Sequence, residues 1–144
     1  MLKLSHLVDD LESRSSLSIE LPVPPSVNSC WRSYRGRVVR SRQYLSWLQE
    51  ADTIWMVNQA RQTKAVKKPI PSPVMILLRV IPGKGWTKAR DLDNILKPTQ
   101  DWLVRMGILE KDSTTVVHCS ISCYIEAAPR RSAAIRISLV PLGR

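Results

Sequence analysis

Alternating apolar and polar positions predict the strands of this chain. Apolar residues occupy every second position of the segments 17–23, 117–125 and 135–139, which is the pattern of a strand with one buried face. The PPS stretch that follows the first segment ends that strand, because proline cannot donate to a sheet ladder. The segment 73–81, PVMILLRVI, is apolar almost throughout and predicts a well-buried central strand.

Three stretches carry apolar residues at helical spacing instead. The stripe at residues 4–11 predicts a short amphipathic helix, with a frayed end or an arm that packs on a partner as alternatives. A second stripe begins at Tyr44 and predicts a helix that runs to about Thr63. A third lies at 95–106, where Gly107 is placed to end the helix.

The predicted order is therefore β-α-β-α-β-β. Because the last two strands are consecutive, we expect them to pair antiparallel, and the fold class is α+β with a small mixed or antiparallel sheet and two main helices. A length of 144 residues predicts a single domain. We assign it to residues 17–144, with residues 1–16 as an amino-terminal extension.

Charge is the composition feature that bears on function. The chain has 22 Lys and Arg against 12 Asp and Glu, a net charge of +10. Such an excess indicates a polyanionic partner, most commonly nucleic acid, with a generally basic protein as the alternative. Three cysteines without a Cys-x-x-Cys pair argue against a zinc site and a disulfide framework. With no signal peptide and no membrane-length apolar run, we expect a cytoplasmic protein.

Most candidate nucleic-acid contacts lie in two basic segments. The first has five arginines interleaved with Trp31 and Tyr34, and the second is the glycine-containing loop that includes Trp86. The three aromatic side chains are candidates for stacking on bases, against simple packing as the alternative. The basic residues that we expect to meet phosphates here are Arg32, Arg35, Arg37, Arg40, Arg42, Lys84 and Lys88.

The segment RDLDNILK contains the chemistry-bearing residues. Asp91 and Asp93 are two apart, so on an extended segment their side chains project to the same side and can converge on one cation. Hard cations such as Mg²⁺ take carboxylate, water and phosphate oxygens. The alternative for this pair is ordinary capping of the helix that follows.

Lys97 and Asp101 continue a helical stripe that begins at Asp93. The three residues are spaced by four, on the side away from the apolar face, and an exposed ion-pair ladder is the alternative to a functional face. Beside a metal, the Lys97 ammonium would stabilise charge on a phosphate or its leaving oxygen. A third carboxylate would come from Asp112 if the chain returns beside the helix, with Glu110 as its competitor.

With these residues assembled, the chain resembles the RusA family of Holliday junction resolvases, small nucleases common in prophages. The resemblance rests on LPVPPSVN (21–28), RDLDNILKPTQDWL (90–103) and GILEKDSTTVV (107–117), and it spans about residues 17 to 140. It implies a small α+β homodimer in a bacterial or phage-encoded system, acting on four-way DNA junctions.

The resemblance also implies a role for each matching residue. Metal-binding carboxylates map onto Asp91, Asp93 and Asp112, and a catalytic lysine maps onto Lys97. Arg90 and Asn94 fall at junction-contacting positions. The implied cofactor is Mg²⁺, for which Mn²⁺ is expected to substitute. One departure concerns the third acid, since this chain has Glu110-Lys111-Asp112 where an acidic pair is expected.

Three other functions compete with junction resolution. A DNA- or RNA-binding module without catalysis would explain the charge but not three aspartates at these positions. A Mg²⁺-dependent nuclease for another branched or flap structure would share the same site. A sugar-nucleotide transferase that uses Asp-x-Asp is a third, but 144 residues is short for one.

Overall fold

The computed structural model describes residues 3–62, 66–87 and 89–143, and the elements below all lie within these ranges. The helices are α1 (Leu4–Ser13), α2 (Arg42–Arg61) and α3 (Leu96–Arg105). The strands are β1 (Leu17–Pro22), β2 (Trp31–Tyr34), β3 (Arg37–Arg40), β4 (Val74–Ile81), β5 (Gly83–Lys84), β6 (Val117–Tyr124), β7 (Arg130–Ser132) and β8 (Ala134–Pro141). No helix in these ranges is long and apolar enough to cross a membrane.

The main sheet has the order β1-β8-β4-β6, and it corrects one prediction. β8 pairs antiparallel with both β1 and β4, whereas β6 pairs parallel with β4. The long strands β6 and β8 therefore do not pair with each other, although their order in the chain predicted that pairing. Strand β6 lies parallel to β4 instead, because α3 connects the two strands and a helical crossover returns the chain in the same direction. The class remains α+β, with a mixed sheet.

One face of this sheet carries the hydrophobic core. Alternate side chains of β1, β4 and β8, among them Ile19, Ile76 and Ile137, pack with the apolar stripes of α2 and α3. Trp55 and Trp102 meet edge to face across the two helices, with ring centroids 6.2 Å apart. The predicted stripes of both helices are thus confirmed, although α2 ends at Arg61 and Thr63 lies outside the described residues.

The amino-terminal helix covers part of the opposite face. Val8 of α1 is 2% exposed and packs with Leu77 of β4 and Cys123 of β6. Leu4 and Leu7, nearer the start of the helix, stay exposed. The helix predicted at residues 4–11 therefore forms and packs on the sheet of its own chain.

Strand β6 departs from the predicted burial pattern. The register with β4 shifts by one residue at His118, so Val117 faces the core while Cys119, Ile121 and Cys123 face the other side. Only Cys123 of these three is buried, because it is the one that α1 contacts. The prediction of one continuous buried face was wrong, and the physical cause is a β-bulge.

Two small pairings complete the fold, and neither was predicted. Strands β2 and β3 form a hairpin whose turn residues, Arg35 and Gly36, have φ angles of 49° and 75°. Positive φ at both positions is the type I′ turn that suits a two-residue hairpin. Strand β5 pairs with β7, where the Gly83 Cα lies so close to the neighbouring backbone that an added Cβ would be 2.6 Å from Ala133 N.

Candidate active site

Asp91 and Asp93 lie directly before α3. Leu92–Ile95 form a single 3₁₀ turn that leads into the helix. Ile95 is fully buried and Leu92 packs against the same core, whereas both aspartates are exposed. The alternation of anchored apolar residues and free acids therefore presents two carboxylates to solvent at the start of the helix.

Lys97, one residue into α3, is held by two carboxylates. Its Nζ lies 2.8 Å from Asp101 Oδ1 and 3.3 Å from Asp112 Oδ2. The hydrogen bond to Asp101 is the largest influence on Lys97 and raises the pKa of its ammonium group, with a smaller contribution from Asp112. A lysine with a raised pKa stays protonated at neutral pH, so Lys97 acts as a fixed positive charge rather than as a base.

The predicted ladder does not extend to Asp93. No ion pair joins Asp93 to Lys97 or to any other described residue. The physical reason is that the α-helix begins at Leu96, so the 3₁₀ turn places Asp93 outside the helical i, i+4 geometry.

Asp112 reaches Lys97 because the chain folds back beside α3. Gly107 has a φ of 72°, the left-handed conformation that ends a helix. Ile108 and Leu109, both buried, donate their N–H groups to the Leu103 carbonyl oxygen over 3.0 and 3.2 Å. The return expected from the sequence is therefore observed for Asp112. Its competitor Glu110 is exposed and pairs with no cation among the described residues.

The donor chemistry of these acids fits a hard divalent cation. Asp91, Asp93 and Asp112 offer only carboxylate oxygens, the ligands that Mg²⁺ prefers. Asp112 contacts Lys97 through Oδ2 and keeps Oδ1 available. Within residues 3–62, 66–87 and 89–143, no three His, Cys, Asp or Glu side chains lie close enough together to hold a metal. The assignment of these three acids as ligands stays a prediction.

Four of the five arginines of the first basic segment, Arg32, Arg35, Arg37 and Arg40, lie on the β2–β3 hairpin, and Arg42 begins α2. All four are exposed, and none forms an ion pair with another described residue. The guanidinium groups of Arg32 and Arg35 lie over the Tyr34 ring, at 5.3 and 5.2 Å from its centroid. Such stacked, unpaired guanidinium groups keep their hydrogen-bond donors available for phosphate.

The remaining predicted contact residues are more varied. Arg90 donates from Nη2 to the Pro24 carbonyl oxygen and lies over the Trp86 ring at 5.3 Å, while burial lowers the pKa of its guanidinium group. The Asn94 N–H donates to Asp91 O over 3.3 Å. Lys84 is exposed in β5. It lines a different cavity from the one that Asp101 and Asp112 line. Lys88 lies outside the described residues.

The predicted stacking aromatics differ in availability. Trp86 is partly buried and stacks on Tyr124, with ring centroids 6.5 Å apart, so its ring packs against another side chain of the fold. Tyr34 is exposed on the hairpin. Trp31 is also exposed, with its ring edge to face with buried Tyr44 at 5.8 Å.

Asp52 is a supporting residue that the sequence did not reveal. It accepts a hydrogen bond from Trp102 Nε1 over 2.9 Å and pairs with Arg105. It therefore holds α2 against the helix that carries Lys97. The only sequence signal was an acid next to Ala51, on the core stripe of α2.

Comparisons with known proteins identify the family of this chain. A family model described as endodeoxyribonuclease RusA matches residues 21–138. A crossover junction endodeoxyribonuclease of Enterobacteria phage HK97 is 30% identical over 92 residues, covering 64% of this chain and 70% of that protein. A crossover junction endodeoxyribonuclease of Aquifex aeolicus is 26% identical over 107 residues, covering 74% and 78%. The matched region contains the acids and Lys97 but not α1, and the chain belongs to the RusA family of endodeoxyribonucleases.

Proposed function

We propose that this protein is a homodimeric, Mg²⁺-dependent endonuclease that resolves four-way DNA junctions by paired symmetric cuts. The observation that carries the proposal is that Asp101 and Asp112 hold Lys97 one turn after two exposed aspartates. The relatives of this chain are crossover junction endodeoxyribonucleases, which supports the same reaction. The unpaired arginines of the β2–β3 hairpin support DNA as the substrate.

Asp91, Asp93 and Asp112 would hold the cation, which requires their exposed side chains to move closer together than they lie in the structure. When bound, it supplies Lewis-acid charge against the phosphate during in-line displacement. Lys97 contributes its own permanent charge, which stabilises negative charge as it develops on the phosphate or the leaving oxygen. Asp101 and Asp112 orient the ammonium group, since each accepts a hydrogen bond from it.

The homodimer follows from the shape of the substrate. A four-way junction has near-twofold symmetry and needs two opposed cuts, and a C₂ dimer matches that symmetry with one site in each protomer. A nuclease for other branched DNA would share the same chemistry but would not need the twofold arrangement.

The deciding experiment compares cleavage and binding of a synthetic four-way junction. We expect nicks at symmetric positions with Mg²⁺, none with EDTA, and little cutting of linear duplex. Asp93→Asn should keep junction binding and abolish cutting. Lys97→Ala should lower the cleavage rate by about 10² to 10³-fold at unchanged affinity, the range for loss of one charge-stabilising group.

Control variants test the third acid and the rival functions. Glu110→Gln should cut like the wild type, whereas Asp112→Asn should not. Equal cutting of linear duplex would favour a general nuclease, and a wild type that binds without cutting under any divalent cation would favour a binding module. Activity that survives both Asp91→Asn and Asp93→Asn would contradict the proposed site.

A further inference from the structure

A cavity of about 390 Å³ lies between the β2–β3 hairpin and α3. Its apolar surface comes from Trp31, Tyr44 and Val104, and the cations Arg40 and Lys111 also line it. Both cations are exposed, and neither forms an ion pair with any residue of the described chain. The cavity thus combines an aromatic wall with two available positive charges.

The same cavity borders the candidate active site. Asp101 and Asp112 line it, and these are the two acids that hold Lys97. Lys97 offsets one of their two negative charges, and Arg40 and Lys111 together exceed the other, so the charge around the cavity stays positive. A ligand in this cavity would lie next to the groups proposed to act on the scissile phosphate.

We propose that this cavity binds one unpaired deoxynucleotide of branched DNA, with its base against Trp31 and its phosphate near Arg40 and Lys111. This inference rests on the proposed function and adds a selectivity subsite to it. Trp31 is 45% exposed, so ring surface is available, while Tyr44, 4% exposed, supports it from the core.

Size and charge favour a single nucleotide over other ligands. The volume is at the lower end of the range for small-ligand sites, about 300 to 1,000 Å³, which excludes a duplex. Aromatic rings accept any base by stacking, and cations beside them suit its phosphate. Bases of an intact duplex stay stacked on each other, so only a nucleotide freed at a branch can enter at low cost. The subsite would therefore distinguish branched DNA from linear duplex.

The test combines Trp31→Ala with abasic junctions. A set of junctions carries one abasic position each, scanned across the branch, and affinity is measured by fluorescence anisotropy without divalent cation. In the wild type, one position should lower affinity by roughly 5- to 100-fold, the range for loss of one base–aromatic stack. Trp31→Ala should show a similar loss on the intact junction and no further loss at that abasic position.

Tyr34→Ala is the matched control, since Tyr34 is an exposed aromatic of the same hairpin that does not line the cavity. It should keep the full abasic effect, as should Trp31→Phe, which retains a ring. Thermal unfolding would establish that each variant is folded. If Trp31→Ala is not, Trp31→Leu replaces it, since leucine keeps an apolar side chain without a ring and should lose the abasic effect in the same way. Lys111→Gln should weaken binding of intact and abasic junctions equally.

An abasic effect of equal size in the wild type and in Trp31→Ala would overturn the inference, as would a wild type that is insensitive at every position. Because this readout needs no cleavage, its failure is distinct from failure of the proposed function. A protein that cuts junctions but shows no Trp31-dependent abasic effect retains the proposed function and lacks the subsite.

Discussion

Two groups of arginines in this molecule have opposite surroundings. The four of the β2–β3 hairpin are exposed and have no carboxylate partner within the described chain. Arg79 of β4 and Arg136 of β8 lie on the sheet face that α1 covers, with side chains 18% and 29% exposed. The first group is available to a ligand, whereas the second is held inside the fold.

The sheet arginines would repel each other without their acids. Arg79 and Arg136 are directly opposite across β4 and β8, an arrangement that destabilises a sheet when charges are alike. Glu12 of α1 lies between them, 2.8 Å from Arg79 and 3.3 Å from Arg136. Asp9 adds a contact to Arg79, and Glu20 of β1 adds one to Arg136. The amino-terminal helix thus completes the charge balance of the sheet.

The difference shows that net charge alone does not locate a binding surface. A guanidinium group held by acids inside the fold contributes to stability, and only an unpaired one can release counterions from DNA. The comparison predicts that hairpin substitutions change binding without changing stability, and that substitutions around Arg79 and Arg136 do the reverse.

The largest expected effect comes from replacing all four hairpin arginines, Arg32, Arg35, Arg37 and Arg40, with glutamine. If each contacts one phosphate, the slope of log affinity against log salt should fall by about 3 to 4, and affinity at 0.1 M salt by roughly 10³-fold. The free energy of unfolding should be nearly unchanged. Binding titrations over a salt series measure this.

Arg14→Gln is the control for that prediction. Arg14, directly after α1, is exposed and pairs with Asp10, so its loss removes a positive charge that is already neutralised. The salt slope should stay the same. A slope change per charge as large as that of the hairpin would show that overall charge, not the hairpin, drives binding.

Next in size is Glu12→Ala, which removes the acid shared by both sheet arginines. The Glu12 side chain is only 12% exposed. We therefore expect the free energy of unfolding to fall by about 1 to 3 kcal/mol, because the substitution removes hydrogen bonds to charged groups and leaves their partners unpaired. Urea unfolding measures it. Asp9→Ala, at a 61% exposed side chain, should cost less than about 1 kcal/mol. Equal effects at the two positions would contradict the shared role of Glu12.

A smaller effect concerns pH and Glu20. Burial alone would raise the pKa of Glu20, but hydrogen bonds and charge from Arg130 and Arg136 outweigh it and lower the pKa. A carboxyl with a lowered pKa stabilises the fold above its unfolded pKa, and this contribution is lost as pH falls through the folded value. Glu20→Gln should therefore be less stable than the wild type at pH 7, and the difference should shrink as the pH falls below about 4. Urea midpoints across that range give the comparison.

The smallest effect is expected in the hairpin turn. Gly36→Ala places a side chain at a φ of 75°, although nothing lies within 4 Å of the added Cβ. The cost is conformational, about 1 kcal/mol. Because the hairpin is exposed, this destabilisation should appear as faster amide exchange in β2 and β3 rather than as a lower unfolding midpoint. Gly36→Asn, which tolerates this conformation, should exchange at nearly the wild-type rate.

How much the sequence could predict depends on whether an element buries a stripe of its own. Helices α2 and α3 and strand β4 were predicted because their apolar residues meet one core. The hairpin was not, since its residues are exposed apart from half-buried Val39 and no burial pattern exists to be recognised. Only Gly36, in an Arg-Gly pair, hinted at a turn. The bulge at His118 was hidden because alternation continues through it.

The candidate site divides in the same way. The meeting of Lys97 with Asp112 spans 15 residues across one helix end, so local reasoning could anticipate it. The bonds from Asp52 to Trp102 and from Arg90 to Pro24 span 50 and 66 residues. Such partners follow from how the helices and loops dock, and the spacing of apolar residues along the chain does not specify that docking.

The central place of β8 has a consequence for how fast the chain folds. β8 follows every other described strand in the chain, yet it lies between β1 and β4 and joins them. Its contact with β1, such as that between Ser18 and Ser138, connects positions 120 residues apart. Pairing across such a separation requires closing a long loop, and the entropy lost in closing it is compensated only after the contacts form. The sheet should therefore assemble slowly, over milliseconds to seconds, with β1 joining last.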